Sequence, residues 1–349
     1  MLGRFWQKAR IGLFIVLWTF TALTAPVSVS AAPYAAIVMD ARTGEILHSR
    51  NADTRLHPAS LTKMMTLYIA FQAIERGEIT LDTPVKITSE AANEPPSKLG
   101  LRVGQEIRLR YLIRAAAVKS ANDAATAIGI ALEGSEAAFA RRMNRTAAAM
   151  GMTRTTFRNA NGLTETGHLS TANDMSILGR HLIYDFPQYY NLFSRRSADA
   201  GIAQVNNTNR RFLDAYRGAD GIKTGYTRAA GYNLVASAER GSERIIATVF
   251  GGSSTADRNA KVSELLDMGF ARAQPNVKIV MPSMGAMPAD NTVVVASASE
   301  STQGTAGKTI RITGLVTTSL RPAARPTAAS APLQVAEADT IAEALEMAI

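Results

Sequence analysis

"GIKTGYTRAAGYNLVASAERGSERIIATVFGG", residues 221–252, reads as three consecutive strands. "GIKTGY", "YNLVASAER" and "RIIATVFGG" alternate or run apolar, and short turns carrying glycine or charge separate them. The globular part opens in the same style. "YAAIVMDARTGEILHSRN" (34–51) gives an apolar strand, a turn at Thr43-Gly44 and a second strand. Between these two regions the period changes to that of helices. "HPASLTKMMTLYIAFQAIERG" (57–77), "YLIRAAAV" (111–118), "DAATAIGIALEG" (123–134), "SEAAFARRMNRTAAAMG" (135–151) and "STANDMSILGRHLIYDF" (170–186) are helical, with Gly151 as a C-cap. "AKVSELLDMGFARA" (260–273) closes the region with another helix. Strands at both ends with helices between them exclude an alternating βαβ plan. They predict an α/β chain of the α+β type: an antiparallel sheet, drawn from both chain ends and flanked by helices.

The chain has 349 residues, no cysteine and a net charge of +9. Without cysteine there is no disulfide framework, no zinc knuckle and no thiol nucleophile. The four histidines, His48, His57, His168 and His181, lack metal-ligand spacing, so no metal and no cofactor are implied. No dense Lys/Arg run with interleaved aromatics occurs, which argues against nucleic acid. A basic surface suits an anionic polymer or membrane surface.

Residues 1–32 read as a signal peptide. Arg4, Lys8 and Arg10 form a positive start, Ile11 to Leu23 is a short apolar run, and "SVSAAP" supplies small residues for cleavage. The same segment left uncleaved would serve as an anchor. Either way the expected location is exported: the periplasm or cell envelope outside the cytoplasmic membrane. From about Ala273 the composition shifts to Ala, Pro, Ser, Thr and Met. Strand-like pieces stand at "VKIV", "TVVVA" and "KTIRITGLV", "RPAARPTAASAP" is a linker-like stretch, and "DTIAEALEMAI" has helical spacing. The expected division is therefore a leader (1–32), a catalytic domain (33–273) and a partly disordered, low-complexity tail (274–349).

The chemistry starts with an oddity at residue 63. Ser60 and Lys63 share one helix face, yet a cation in a first turn opposes the helix dipole. Met64, Met65, Leu67, Tyr68, Ile69, Phe71 and Ile74 make that helix a buried one. Burial and the dipole both depress the lysine pKa, and a neutral amine beside a serine hydroxyl is a general base. "KSANDAA" places Ser120 and Asn122 in a break between helices, where Ser120 suits proton transfer and Asn122 suits holding Lys63 and a substrate amide. Helix capping alone also accounts for Asn122 or Asp123. "GIKTGYT" places Lys223 and Thr224 on a strand as candidates for a substrate carboxylate. Gly225 beside them leaves room for a substrate backbone.

Each fragment alone is common. Ser49-Arg50-Asn51 also matches S-x-N, and Lys308-Thr309-Ile310 nearly matches K-T-G. The order S-x-x-K, S-x-N, K-T-G, on a helix start, an interhelix break and a strand, is specific. With "DARTGEIL", "HPASLTKMMT", "MNRTAAAMGMTRTTFRNANGL", "DGIKTGYTRAAGYNLVASA" and "GGSSTADR", the chain resembles the D-alanyl-D-alanine carboxypeptidases, the low-molecular-mass penicillin-binding proteins, over residues 33–273. The resemblance implies a β-lactamase/transpeptidase-like fold and an acyl-enzyme on Ser60. It implies Lys63 as base and Ser120, Asn122 and Lys223 in proton transfer and substrate binding. It also places an oxyanion hole at the backbone N–H groups of Ser60 and Tyr226. The implied partners are peptidoglycan stem peptides and β-lactam inhibitors. The alternatives are a D,D-endopeptidase, a serine β-lactamase and a non-catalytic peptidoglycan-binding protein. Glu165 in "TETGHLS" does not match the E-x-x-L-N segment of class A β-lactamases. The final helix carries Glu337, Asp339, Glu343 and Glu346, which opposes docking to an anionic bilayer and leaves membrane association open.

Overall fold

The computed structural model describes residues 33–289. The strands are β1 (Ala35–Asp40), β2 (Ile46–Arg50), β3 (Pro84–Lys86), β4 (Glu106–Arg108), β5 (Ser197–Asp199), β6 (Gln204–Asn206), β7 (Ala219–Thr227), β8 (Gly231–Arg240) and β9 (Glu243–Gly252). The helices are α1 (Lys63–Glu75), α2 (Ser89–Ala92), α3 (Leu109–Arg114), α4 (Asn122–Glu133), α5 (Glu136–Ala149), α6 (Ala172–Asp185), α7 (Pro187–Tyr190), α8 (Arg210–Ala215) and α9 (Thr255–Arg272).

The main sheet runs β2-β1-β9-β8-β7 and is antiparallel throughout. Strands from the two chain ends meet at β1 and β9, where Ile37 faces Thr248 and Val38 faces Ala247. Side chains alternate across a strand, so each face of this sheet needs its own cover. Ile37, Met39, Ile222, Val235 and Ile246 pack into the helical layer with Met64, Leu67 and Phe71 of α1. Val38, Leu234, Ala236, Ala247 and Val249 pack against Val262, Leu265 and Leu266 of α9. That double cover explains why β1, "AAIVMD", is buried at every residue.

α1 is buried continuously from Lys63 to Ala73. Each large apolar side chain taken from water there contributes about 1.5–3 kcal/mol. The expected helix from Ser60 is resolved into two parts. Ala59–Thr62 forms a 3₁₀ turn, and the α-helix starts at Lys63. Ala59 takes the left-handed region, at φ 50°, so the chain turns sharply just before Ser60.

Beyond α9 the chain crosses the body in extended form. "VKIV" (277–280) joins no strand ladder; instead the Val280 N–H donates to Arg42 O at 2.9 Å, and Gly285 N–H donates to Ala149 O at 2.7 Å. Arg42 anchors the start of this segment. Its guanidinium pairs with buried Asp40 at 2.7 Å and donates to Gln274 O at 2.7 Å. The leader, "TVVVA", "KTIRITGLV" and the final helix expected from the sequence lie outside the described residues. Among the described residues no helix is long and apolar enough to cross a membrane.

Candidate active site

Three segments bring polar side chains to one cleft of about 370 Å³, lined by Ser60, Ser120, Asn122, Thr224, Tyr226 and Arg258, among others. The first is the 3₁₀ turn at the head of α1. It leaves Ser60 partly exposed, while Lys63 is wholly buried behind it. The back of this turn is fixed by His168. Arg158 N–H donates to His168 Nδ1 at 3.2 Å, so Nε2 carries the proton toward Thr62 Oγ1, 2.9 Å away. Burial pushes the His168 pKa down to about 4, which keeps that ring neutral.

The second segment is the interhelix break. After α3 the backbone widens into a π turn, Ala115–Lys119, which ends at Ser120 in the left-handed region (φ 63°). Such turns are often found where a helix must re-aim a functional side chain. Asn122 then opens α4. Asp123 beside it is a hub: its carboxylate accepts the N–H groups of Leu99, Gly100 and Leu101 at 2.8, 2.8 and 3.1 Å. It ties the 95–101 loop, including Ser97 on the cleft rim, to the break. Lys98 turns away, donating to Ala92 O at 3.2 Å.

The third is β7, the edge strand. Lys223 is buried to 1 % exposure, and its amine donates to Ser120 Oγ at 2.8 Å and Thr224 O at 3.1 Å. It therefore stands behind Ser120 rather than in the open cleft. The arginine among the cleft-lining residues is Arg258 near the start of α9, its guanidinium held by Asn259 Oδ1 and Asn233 O. Thr224 Oγ1 is 2.9 Å from Thr208 Oγ1 on the same wall. Gly225 serves a different need from the one its sequence context suggests. A Cβ there would lie 2.8 Å from Pro58 O and 3.3 Å from Leu61 N. The missing side chain lets β7 press against the serine turn. The space it would need is filled by protein.

The environment of Lys63 decides what Ser60 can do. Its Nζ lies 2.7 Å from Asn122 Oδ1, 2.6 Å from Asn161 O and 3.1 Å from Ser60 Oγ. The first two are carbonyl oxygens and can only accept. A neutral amine has two N–H bonds and one lone pair. With both N–H groups held by carbonyls, the lone pair is left for the Ser60 hydroxyl. Burial, then the charge of Lys223, drives the Lys63 pKa well below the ordinary lysine value. Burial, then Arg258, pushes Lys223 down to about 7. Both amines are thus buried beside a like charge, and both are pushed toward the neutral form.

So the structure brings Ser60, Lys63, Ser120, Asn122, Lys223, Thr224, Gly225 and Tyr226 together. The sequence reading omitted Asn161, Gly162, Thr208, Arg258 and His168. Asn161 acts through a backbone oxygen, which has no side-chain signature. Arg258 stood in the quoted "GGSSTADR", and its placement required knowing that α9 returns to the cleft. Glu165 is occupied in the structure, accepting from Asn159 Nδ2 at 3.1 Å.

Ser60 Oγ thus lies 3.1 Å from the amine of buried Lys63, and a second lysine–serine pair, Lys223 and Ser120 at 2.8 Å, stands beside it. A family model described as D-alanyl-D-alanine carboxypeptidase matches residues 21–254. The chain belongs to that family. It is 38% identical over 242 residues to the D-alanyl-D-alanine carboxypeptidase DacF of Bacillus subtilis, covering 68% of this chain and 62% of the relative. It thus spans less than two thirds of that relative's length. Penicillin binding protein 5 of Haemophilus influenzae superposes with a TM-score of 0.66 at 34% identity, over 71% of this chain and 73% of that one. Penicillin-Binding Protein D2 of Listeria monocytogenes, in its cefotaxime-bound form, gives 0.62 at 32% identity, over 71% of this chain and all (100%) of the other. These neighbours establish the transpeptidase/β-lactamase type of fold.

Proposed function

We propose that the protein is a serine-type D-Ala-D-Ala carboxypeptidase that trims peptidoglycan stem peptides and is acylated by β-lactams. One observation carries the reading: the Lys63 amine, wholly buried and held by two carbonyls, sits 3.1 Å from Ser60 Oγ. The family and the cefotaxime-bound neighbour support the choice of substrate and inhibitor.

The chemistry then runs as follows. Ser60 Oγ attacks the carbonyl carbon between the two terminal D-alanines, and its proton passes to Lys63 Nζ. The backbone N–H groups of Ser60 and Tyr226 receive the oxyanion. The C–N bond breaks as the proton held by Lys63 passes through the Ser120 hydroxyl, which accepts a hydrogen bond from Lys223, to the departing amine. Water then attacks the Ser60 ester, releasing the shortened peptide as a carboxylate and restoring the hydroxyl. Arg258, with Thr208 and Thr224, is placed to meet the terminal carboxylate of the substrate. Asn122 serves both Lys63 and the peptide amide. The basic composition suits an anionic wall polymer, and the leader-like residues 1–32 support export to the envelope. In this reading 33–273 is the catalytic domain and 274–349 a low-complexity tail whose first residues lie along that domain.

The test is incubation with labelled penicillin and with a D-Ala-D-Ala peptide, beside Ser60→Ala. A long-lived adduct on the wild type, none on the variant, and released D-alanine are expected. Wild-type protein that takes no label would overturn the reading, and rapid penicillin turnover would replace it with a β-lactamase. A cross-linked muropeptide substrate separates carboxypeptidase from endopeptidase action.

A further inference from the structure

One carboxylate lies behind the catalytic lysine and has no part in the chemistry above. Glu94 follows α2, immediately before the loop that Asp123 ties down. Its Oε1 accepts from Asn161 Nδ2 at 2.8 Å and from Thr126 Oγ1 at 2.8 Å. Thr126 Oγ1 in turn stands 3.0 Å from Asn161 Nδ2. The other end of the Asn161 amide is also engaged: its Oδ1 accepts from Leu163 N–H at 2.8 Å. The side chain of Asn161 is therefore locked at both ends, and its backbone oxygen is the 2.6 Å partner of Lys63.

We propose that Glu94 is a positioning residue for acylation: through Asn161 it fixes the carbonyl that aims the Lys63 amine, and its carboxylate opposes loss of charge on that amine. The inference rests on the proposed acyl-transfer reading and adds to it a control on when Lys63 is competent.

The geometry explains why two properties would change together. Remove the Glu94 acceptor and Asn161 Nδ2 keeps only Thr126 Oγ1, while Oδ1 keeps the Leu163 N–H. The Asn161 carbonyl is then held less firmly, and the Lys63 amine is aimed less accurately at Ser60. Remove only the charge and the aim survives. The charged groups facing Lys63 are Lys223 on β7, Asp123 on α4 and Glu94. Lys223 favours the neutral amine and the two carboxylates oppose it. Glu94 itself is faced by Glu90, Asp123 and Lys63, and Glu136 stands in the same acidic surroundings. Burial raises the Glu94 pKa, while Thr126 and Lys63 hold it down.

The experiment measures the second-order rate of acylation by a fluorescent penicillin from pH 5 to pH 10. Wild type, Glu94→Gln and Glu94→Ala are compared on the full chain, with thermal melts for each. In Glu94→Gln the amide oxygen still accepts from Asn161 and Thr126, so the plateau rate stays within about threefold of wild type. The negative charge is gone, the Lys63 pKa falls further, and the acid limb moves to lower pH by about half a unit or more. In Glu94→Ala the limb moves the same way and the plateau falls about tenfold or more. An unmoved acid limb in Glu94→Gln overturns the proposal, as does a wild-type plateau in Glu94→Ala. Should the alanine variant fail to fold, the glutamine variant decides by its limb alone. If the wild type itself takes no label, it is the acyl-transfer reading that fails, which keeps the two failures distinct.

Discussion

Gly162 is the residue on which a single methyl group should disarm the serine from a distance. A Cβ at this position would lie 1.9 Å from Ala59 O and 2.5 Å from Ala59 C. Both are backbone atoms, immediately before Ser60. The left-handed φ of 86° is a second obstacle, costing alanine about 1–2 kcal/mol. To regain contact distance, the serine turn must retreat by about 1 Å. Misplacement on that scale costs on the order of 10²-fold in rate, or about 2.7 kcal/mol in the barrier. Overpacking adds about 1–3 kcal/mol of destabilisation. Gly162→Ala should therefore melt several degrees lower and acylate about a hundredfold more slowly, measured by stopped flow with a fluorescent penicillin. Near-UV circular dichroism would establish that the variant is folded. A folded Gly162→Ala that acylates within threefold of wild type would refute the argument, because the Ser60 turn would then have absorbed the methyl without cost.

Lys63→Arg keeps the charge but cannot deprotonate, so penicillin labelling should vanish; normal labelling would show that Lys63 is not the base. Lys223→Met removes the positive charge that disfavours protonated Lys63, so the Lys63 pKa rises and the acid limb of acylation shifts to higher pH. An unshifted limb would show that the two amines are uncoupled. Arg42→Ala strands the buried Asp40 carboxylate and should cost about 3–5 kcal/mol in urea unfolding, more than the paired replacement Asp40→Asn with Arg42→Met. Equal losses in the two would remove the case for an uncompensated charge.

Much of this centre was legible because its chemistry is carried by side chains in a fixed order. Ser60, Lys63, Ser120, Asn122 and Lys223 could be found by residue type, and the apolar run "IIATVF" was enough to place β9. Other parts depend on backbone or on distant returns of the chain. The carbonyl of Asn161 is chemically the same as any other until Leu163, Thr126 and Glu94 lock the residue that bears it. Arg258 becomes part of the cleft only because α9 folds back over the sheet. The 3₁₀ start at Ala59 was hidden because alanine seldom takes a left-handed φ, and nothing in "HPASLT" announces one. Gly225 was recognised as special, yet the neighbour that demands a glycine there is the serine turn itself, 165 residues earlier in the chain.

The central pairing of β1 with β9 also sets an order of assembly. β1 ends at Asp40, and its partner begins at Glu243. An emerging chain holds Ser60 and Lys63 long before Lys223 and β9 exist. Contacts of such long range are slow to form and come late. Until they form, β1 lacks its inner neighbour, and the lysine pair is neither dehydrated nor mutually repelled. The hydroxyl of Ser60 then meets an ordinary protonated lysine and is inert. On the proposed chemistry, reactivity would therefore arrive last. A fragment truncated before residue 243 should carry all three motifs and yet remain blind to penicillin.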